Sequence, residues 1–189
     1  WTRGSNHIRY MCTDVTLRLT TDCPISHLVE ERVFRLERDL HFFLGPDEGF
    51  DQTVKTGVLQ ALDLTQDYWQ AWVRSLYLPL DWQAAVIRAA ITLKLCVYEE
   101  TGAIVAAMTT SIPEYANSGR NWDYRFCWMR DAYYTVRALN RLGATDILEA
   151  YQGYLRNLVD LADGGHIQPV YGVGLEAGLV EQINEDLTG

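Results

Sequence analysis

Residues 119 to 136 read Gly119-Arg120-Asn121-Trp122-Asp123-Tyr124-Arg125-Phe126-Cys127-Trp128-Met129-Arg130-Asp131-Ala132-Tyr133-Tyr134-Thr135-Val136, and within this stretch the apolar pattern changes period. Trp122, Tyr124, Phe126 and Trp128 fall at every second position, interleaved with Asp123 and Arg125. From Met129 the spacing becomes helical, and Arg130-Asp131 lies at the changeover. A core strand would not carry so many charges, and a solvated loop would not carry so many large rings. Aromatic faces beside fixed carboxylate and guanidinium groups suit a sugar, which offers apolar C–H faces and a rim of paired hydroxyls.

Downstream, Met129, Ala132, Tyr133, Val136, Leu139 and Leu142 trace one helical face, stopped by Gly143 at the position of a C-terminal cap. Thr145 or Asp146 can cap a second helix, whose buried face is read as Ile147, Leu148, Tyr151, Leu155, Leu158 and Ala162, ending at Gly164-Gly165. So short a connection predicts a helical hairpin, the unit of helical barrels. A polar and aromatic loop follows from His166 to Gly174, and a helical pattern starts again before Gly189.

Upstream, Asp81 reads as the N-cap of a helix running to about Tyr98, with Trp82, Val86, Ala89, Leu93 and Cys96 on its buried face. Glu100-Thr101-Gly102 makes a turn, 103–107 is a short apolar run, and 109–114 is a loop. Between Gly49 and Leu80 the signals are mixed, with Trp69 and Trp72 too apolar for a free tether, so residues 63–80 read as a linker that docks. From Asn6 to Leu44 the period is two: Val15, Leu17 and Leu19 form one half-buried face, and Phe34, Leu36, Leu40, Phe42 and Leu44 another. So few strands cannot close a sandwich, so residues 1–62 read as part of a larger β domain.

The chain has 189 residues, 48% of them hydrophobic, enough for a packed core, and a formal net charge of −9. That charge argues against a nucleic-acid surface. Cys12, Cys23, Cys96 and Cys127 are too scattered for a metal knuckle and read as reduced packing residues. His7, His27, His41 and His166 show no ligand spacing, so no metal or cofactor is expected. No apolar run approaches a bilayer span and no charged-then-apolar leader is visible, which leaves the cytoplasm as the expected compartment. The sequence does not fix an oligomeric state.

Arg130 and Asp131 are either a two-point grip on sugar hydroxyls or an ordinary ion pair at a helix start. Trp122, Tyr124, Phe126 and Trp128 either line a pocket or form the core of a tucked loop. Glycoside hydrolysis needs two carboxylates across the scissile bond. Glu114, Asp123, Asp131, Glu176 and Glu181 lie near loops, but spacing selects no acid and base among them, and Glu181 with Glu185 reads as a solvated helix face.

The run Gly119–Asp131, with Leu93-Lys94-Leu95, 101–107, Thr109-Thr110-Ser111-Ile112-Pro113-Glu114 and Gln168-Pro169-Val170-Tyr171-Gly172-Val173-Gly174, resembles the glucoamylase-like glycoside hydrolases of family 15. The resemblance is specific from about Tyr68 onward. It implies the C-terminal part of a β-supersandwich followed by the first helices of an (α/α)6 barrel, residues 81–189 being part of that barrel. It also implies an inverting exo-hydrolase releasing glucose from the non-reducing end of α-glucans. The alternatives are a trehalase or an isomaltose/dextran-type glucosidase of the same family. A rival of another class is a non-catalytic carbohydrate-binding module. Carried over, Arg130 and Asp131 would grip hydroxyls, Trp128 would shape the pocket and Tyr124 would stack near the scissile sugar, with Trp122 and Gln168 beside them. The expected partner is an α-linked glucose oligosaccharide or polysaccharide. The family's catalytic glutamates are expected beyond Gly189, so the chain alone is expected to hold sugar without cutting it.

Overall fold

A computed structural model describes residues 1–180. The Glu181–Glu185 helix face and the helical pattern toward Gly189 lie outside the described residues. The chain divides into two compact units, Trp1–Gln70 and Ala71–Gly189.

In the first unit β1 (Thr2–Arg3), β2 (His7–Met11), β3 (Thr16–Thr21) and β4 (Phe42–Pro46) form an antiparallel sheet in that order. The register sets Ile8 opposite Leu19 and Leu19 opposite Leu44, so these three share a face. Ile8 is buried on it, whereas Leu44 and Phe42 are exposed. The half-buried face assigned to Phe42 and Leu44 is therefore reversed: Phe43 is the inward ring, packed edge-on against Phe50 at 4.8 Å.

The strand expected over Phe34–Leu40 is absent, and two side-chain anchors account for it. The Asp22 carboxylate accepts the His41 backbone N–H at 2.9 Å, and the Asp22 carbonyl accepts from Arg38 at 3.0 Å. The segment's polar groups thus meet a loop before any ladder, and pairing begins only at Phe42. Short helix α1 (Ile25–Val29) follows the Cys23-Pro24 turn.

Residues 54–74 are one helix, α2 (Val54–Arg74), so the stretch read as a linker from 63 is helical through Arg74. Its exposed leucines Leu59 and Leu64 blur the stripe by which a helix is recognised.

The second unit holds α3 (Gln83–Leu95), the hairpin β5–β6 (Val97–Tyr98, Ala103–Ile104), the pair β7–β8 (Cys127–Trp128, Val170–Tyr171), α4 (Met129–Arg141) and α5 (Thr145–Leu161). Three expectations change. Trp82, in left-handed conformation at φ 63°, is the N-cap of α3 rather than Asp81, and its ring is exposed. The helix ends at Leu95 because Val97-Tyr98 joins a strand pair, and its buried positions are Ala90 and Lys94, not Ala89. Ala144, without a side-chain cap bond, precedes α5, where Thr145 or Asp146 was expected to cap.

The α4–α5 hairpin has the expected form. Gly143 sits at φ 85° and the Ala144 N–H returns to the Leu139 carbonyl at 3.1 Å, closing the helix end. The core gathers Ala132, Val136 and Leu139 of α4 with Ile147, Tyr151, Tyr154 and Leu158 of α5, over Ile104, Cys127 and Tyr171. Tyr133, read as inward, is exposed, and Tyr154, absent from the expected face, is fully buried. Gly102, at φ 80°, lies so close to α5 that a Cβ there would meet the Ala150 carbonyl oxygen at 2.3 Å. All four cysteines are free. Among the described residues no helix is long and apolar enough to cross a membrane.

Candidate functional site

The aromatic stretch is held from two sides. The Ala106 and Ala107 N–H groups donate to the Phe126 and Tyr124 carbonyls, and the Tyr124 N–H donates to Thr109, all at 3.0–3.1 Å. On the other side Cys127 pairs with Tyr171 and Trp128 with Val170. Trp128 is then the extended N-cap of α4, and the Met129 N–H donates to the Pro169 carbonyl at 3.0 Å. Arg130 and Asp131 thus fall in the first helical turn, at the loop-to-helix junction that the change of period marks.

The rings of Tyr124 and Phe126 each lie 6.3 Å from the Trp128 ring, tilted and edge-on respectively. Arg130 Nη2 stands 3.1 Å from Asp131 Oδ2, with the arginine side chain 75% exposed and the aspartate 34%. Asp131 Oδ2 is closed off from solvent and receives no hydrogen bond of good geometry among the described residues. The ion pair leaves the Asp131 side chain a third exposed and the open guanidinium with further donors, so it does not exclude a hydroxyl grip. Gln168 stands beside the α4 start through Pro169 and Val170. Trp122, at 36% exposure, makes no ring contact with the other three aromatics among the described residues.

Asp123 is engaged differently. Arg125 donates to it through Nε at 3.0 Å, Nη2 at 2.8 Å and its backbone N–H at 2.9 Å. The Arg125 fork holds the Asp123 carboxyl below its ordinary value, against a smaller opposing push from burial. An aspartate so satisfied is a loop brace and a poor proton donor. Glu176 Oε2 accepts the Gly174 N–H at 2.9 Å.

Sequence reasoning gave Asn121 no role, yet its Oδ1 is buried without a partner among the described residues, one step before Trp122. It also missed Tyr154, whose hydroxyl donates to the Gly172 carbonyl at 2.8 Å and whose acidity is pushed down by burial. A hollow of about 360 Å³ is lined by Cys96, Tyr98, Met108, Asp123, Arg125 and Phe126 among others, and a second of about 310 Å³ lies between α4 and α5. Neither includes Trp122, Tyr124, Trp128, Arg130, Asp131 or Gln168. No cluster that could hold a metal occurs among the described residues.

A family model described as glycosyl hydrolases family 15 matches residues 81–176, a range that contains all six of these candidate residues. The chain is 36% identical over 128 residues to a trehalase of Mycolicibacterium smegmatis, covering 66% of this chain and 19% of that protein. It is 37% identical over 123 residues to a trehalase of Thermoplasma volcanium, covering 65% and 19%. A trehalase of Thermoplasma acidophilum is 43% identical over 82 residues, covering 43% and 14%. The chain thus spans about a fifth of the length of the curated relatives it matches. No solved structure matches it significantly. With just over half its length matched by the family model, the chain belongs to the glycosyl hydrolases of family 15.

Proposed function

We propose that this chain is part of an α-glucoside hydrolase acting on trehalose, and that the face from Tyr124 to Asp131 holds one of its glucose units. The observation that carries the reading is the agreement among relatives: those named above are all called trehalase. The glucoamylase-like reading, with α-glucans as substrate, becomes the second one. In this proposal residues 1–62 are part of an N-terminal β-sandwich domain that ends on the first turns of α2, 63–80 a docking segment, and 81–189 part of an (α/α)6 barrel.

The chemistry follows from the residue types. Trp128, flanked by Tyr124 and Phe126, presents ring surface to the C–H face of a pyranose. The partly exposed Asp131 carboxylate accepts from a hydroxyl, and Arg130 donates to a neighbouring one, which fixes orientation as well as affinity. Trp122 and Gln168 extend the same face. Hydrolysis with inversion then needs a carboxylic acid to protonate the glycosidic oxygen and a carboxylate to activate water on the opposite side. Asp123 suits neither role, and the proposal assigns both to glutamates outside this chain.

The test uses the full-length protein that carries this segment, assayed for glucose release from trehalose, maltose, isomaltose and starch. Trehalose is expected to be the fastest substrate, yielding α- and β-glucose in equal amounts by NMR at early times. Asp131→Asn should lower kcat/KM by about 10- to 100-fold, the loss of one or two charged hydrogen bonds. Faster cleavage of maltose or starch would move the assignment to the glucoamylase-like reading. Binding without turnover of any of them would favour the carbohydrate-binding module.

A further inference from the structure

The segment opposite the candidate site is held by main-chain bonds made largely by buried tyrosines. Pro169 offers its carbonyl to the Met129 N–H at 3.0 Å, at the first residue of α4. The Tyr171 hydroxyl accepts the Gln168 N–H at 2.8 Å, three residues back along the chain and before the strand begins. One residue further on, the Tyr154 hydroxyl donates to the Gly172 carbonyl. Tyr171 and Tyr154 are both buried, with Tyr154 fully so.

The hydroxyls serve geometry rather than space filling, since phenylalanine would fill the same volume. Gln168 precedes Pro169, so its backbone is confined to extended conformations, and its N–H lies outside the two-residue β7–β8 ladder. A main-chain donor needs an acceptor, and Tyr171 supplies one from within the core. The bend at Gln168-Pro169 is thereby fixed relative to the β7–β8 pair, and the Pro169 carbonyl is fixed relative to the helix turn that carries Arg130 and Asp131. Tyr154 fixes the far end of the strand from α5, where the Cys127 thiol also lies against it.

We infer that Tyr171 is a positioning residue of the sugar site. Its hydroxyl sets Gln168, and through Pro169 the first turn of α4, at the spacing at which Gln168, Arg130 and Asp131 meet one glucose unit. Tyr154 braces the same strand from behind. This rests on the reading of the site given under Proposed function, because it supposes that these three side chains share a ligand.

The experiment measures kcat and KM for trehalose, together with thermal melting, in the full-length protein. Tyr171→Phe is expected to raise KM by about 5-fold with kcat within about 2-fold, a pattern that a loss of folded protein alone would not give. Gln168→Ala is expected to raise KM similarly, and the double variant to be no worse than the more impaired single one, because one change acts through the other. Tyr154→Phe should shift KM in the same direction, and carries the test if Tyr171→Phe does not fold. The inference is overturned if Tyr171→Phe and Tyr154→Phe leave KM unchanged in a protein that Asp131→Asn cripples. Tyr171 and Gln168 effects that simply multiply also overturn it. Full activity of Asp131→Asn instead removes the underlying site reading, and the inference with it.

Discussion

The sheet of the first unit and the helical hairpin of the second bury their apolar side chains to different depths. Across the β2–β3–β4 register the shared face of Ile8, Leu19 and Leu44 goes from 3% exposed at Ile8 to 59% at Leu44. In the hairpin, Leu139, Tyr154 and Leu158 are closed against Ile104 and Cys127. The hairpin thus closes its core together with β6, β7 and β8 of the same unit, whereas the sheet leaves an apolar edge open. Stability per residue should therefore be concentrated in the second unit, where the candidate site also sits.

The comparison can be broken most forcefully at Gly102. Valine there must adopt a φ of 80° and displace the Ala150 carbonyl, so unfolding of the second unit should become easier by about 4 kcal/mol in denaturant titrations. A cost below about 1 kcal/mol would mean that the turn can move away from α5. Next is Leu139→Ala, for which about 3 kcal/mol is expected from lost burial plus the cavity left behind.

In the first unit Asp22→Asn should cost about 1 kcal/mol at neutral pH, by weakening bonds to His41 and Arg38. Burial pushes the Asp22 carboxyl up, but the His41 hydrogen bonds and the Arg38 charge outweigh it and hold it below its ordinary 3.8. A depressed carboxyl contributes stability present above its unfolded value and lost as pH falls through its folded one. The gap between wild type and Asp22→Asn should therefore close on acidification below the ordinary aspartate range, in urea titrations run as a pH series. The smallest effect belongs to Leu44→Thr, expected within about 0.5 kcal/mol because the side chain already meets water. A larger loss there would show that the sheet edge is covered in solution.

The helical hairpin was legible because its apolar residues repeat at 3.6 and Gly143 marks its end. Tyr133 and Tyr154 were exchanged, since tyrosine is compatible with either side of a helix and only the partner for its hydroxyl selects one. Residues 54–74 were not read as one helix, because the stripe of Val54, Val58, Leu62, Trp69 and Trp72 is broken by polar Thr65-Gln66 and blurred by Leu59 and Leu64, which lie off it. The Phe34–Leu40 alternation misled because alternation records only which side chains could share a face. A strand also needs a neighbour, and Asp22 took the His41 N–H first. At the site, the Tyr124–Trp128 ring contact and the Arg130–Asp131 junction could be read from local spacing. The pairing of Trp128 with Val170 could not, because nothing local records which distant strand will answer it.

The β7–β8 pair also carries a consequence for the order of folding. Its strands lie immediately before α4 and soon after α5, so joining them in an unfolded chain would mean closing a loop of about 40 residues. Docking α4 on α5 through the short Gly143 turn brings those ends together with local contacts alone. The candidate site is thus expected to assemble last and open first. In pulsed hydrogen exchange the amides of Met129 and Gln168 should gain protection after those within α4 and α5. They should also lose it through openings that leave both helices intact.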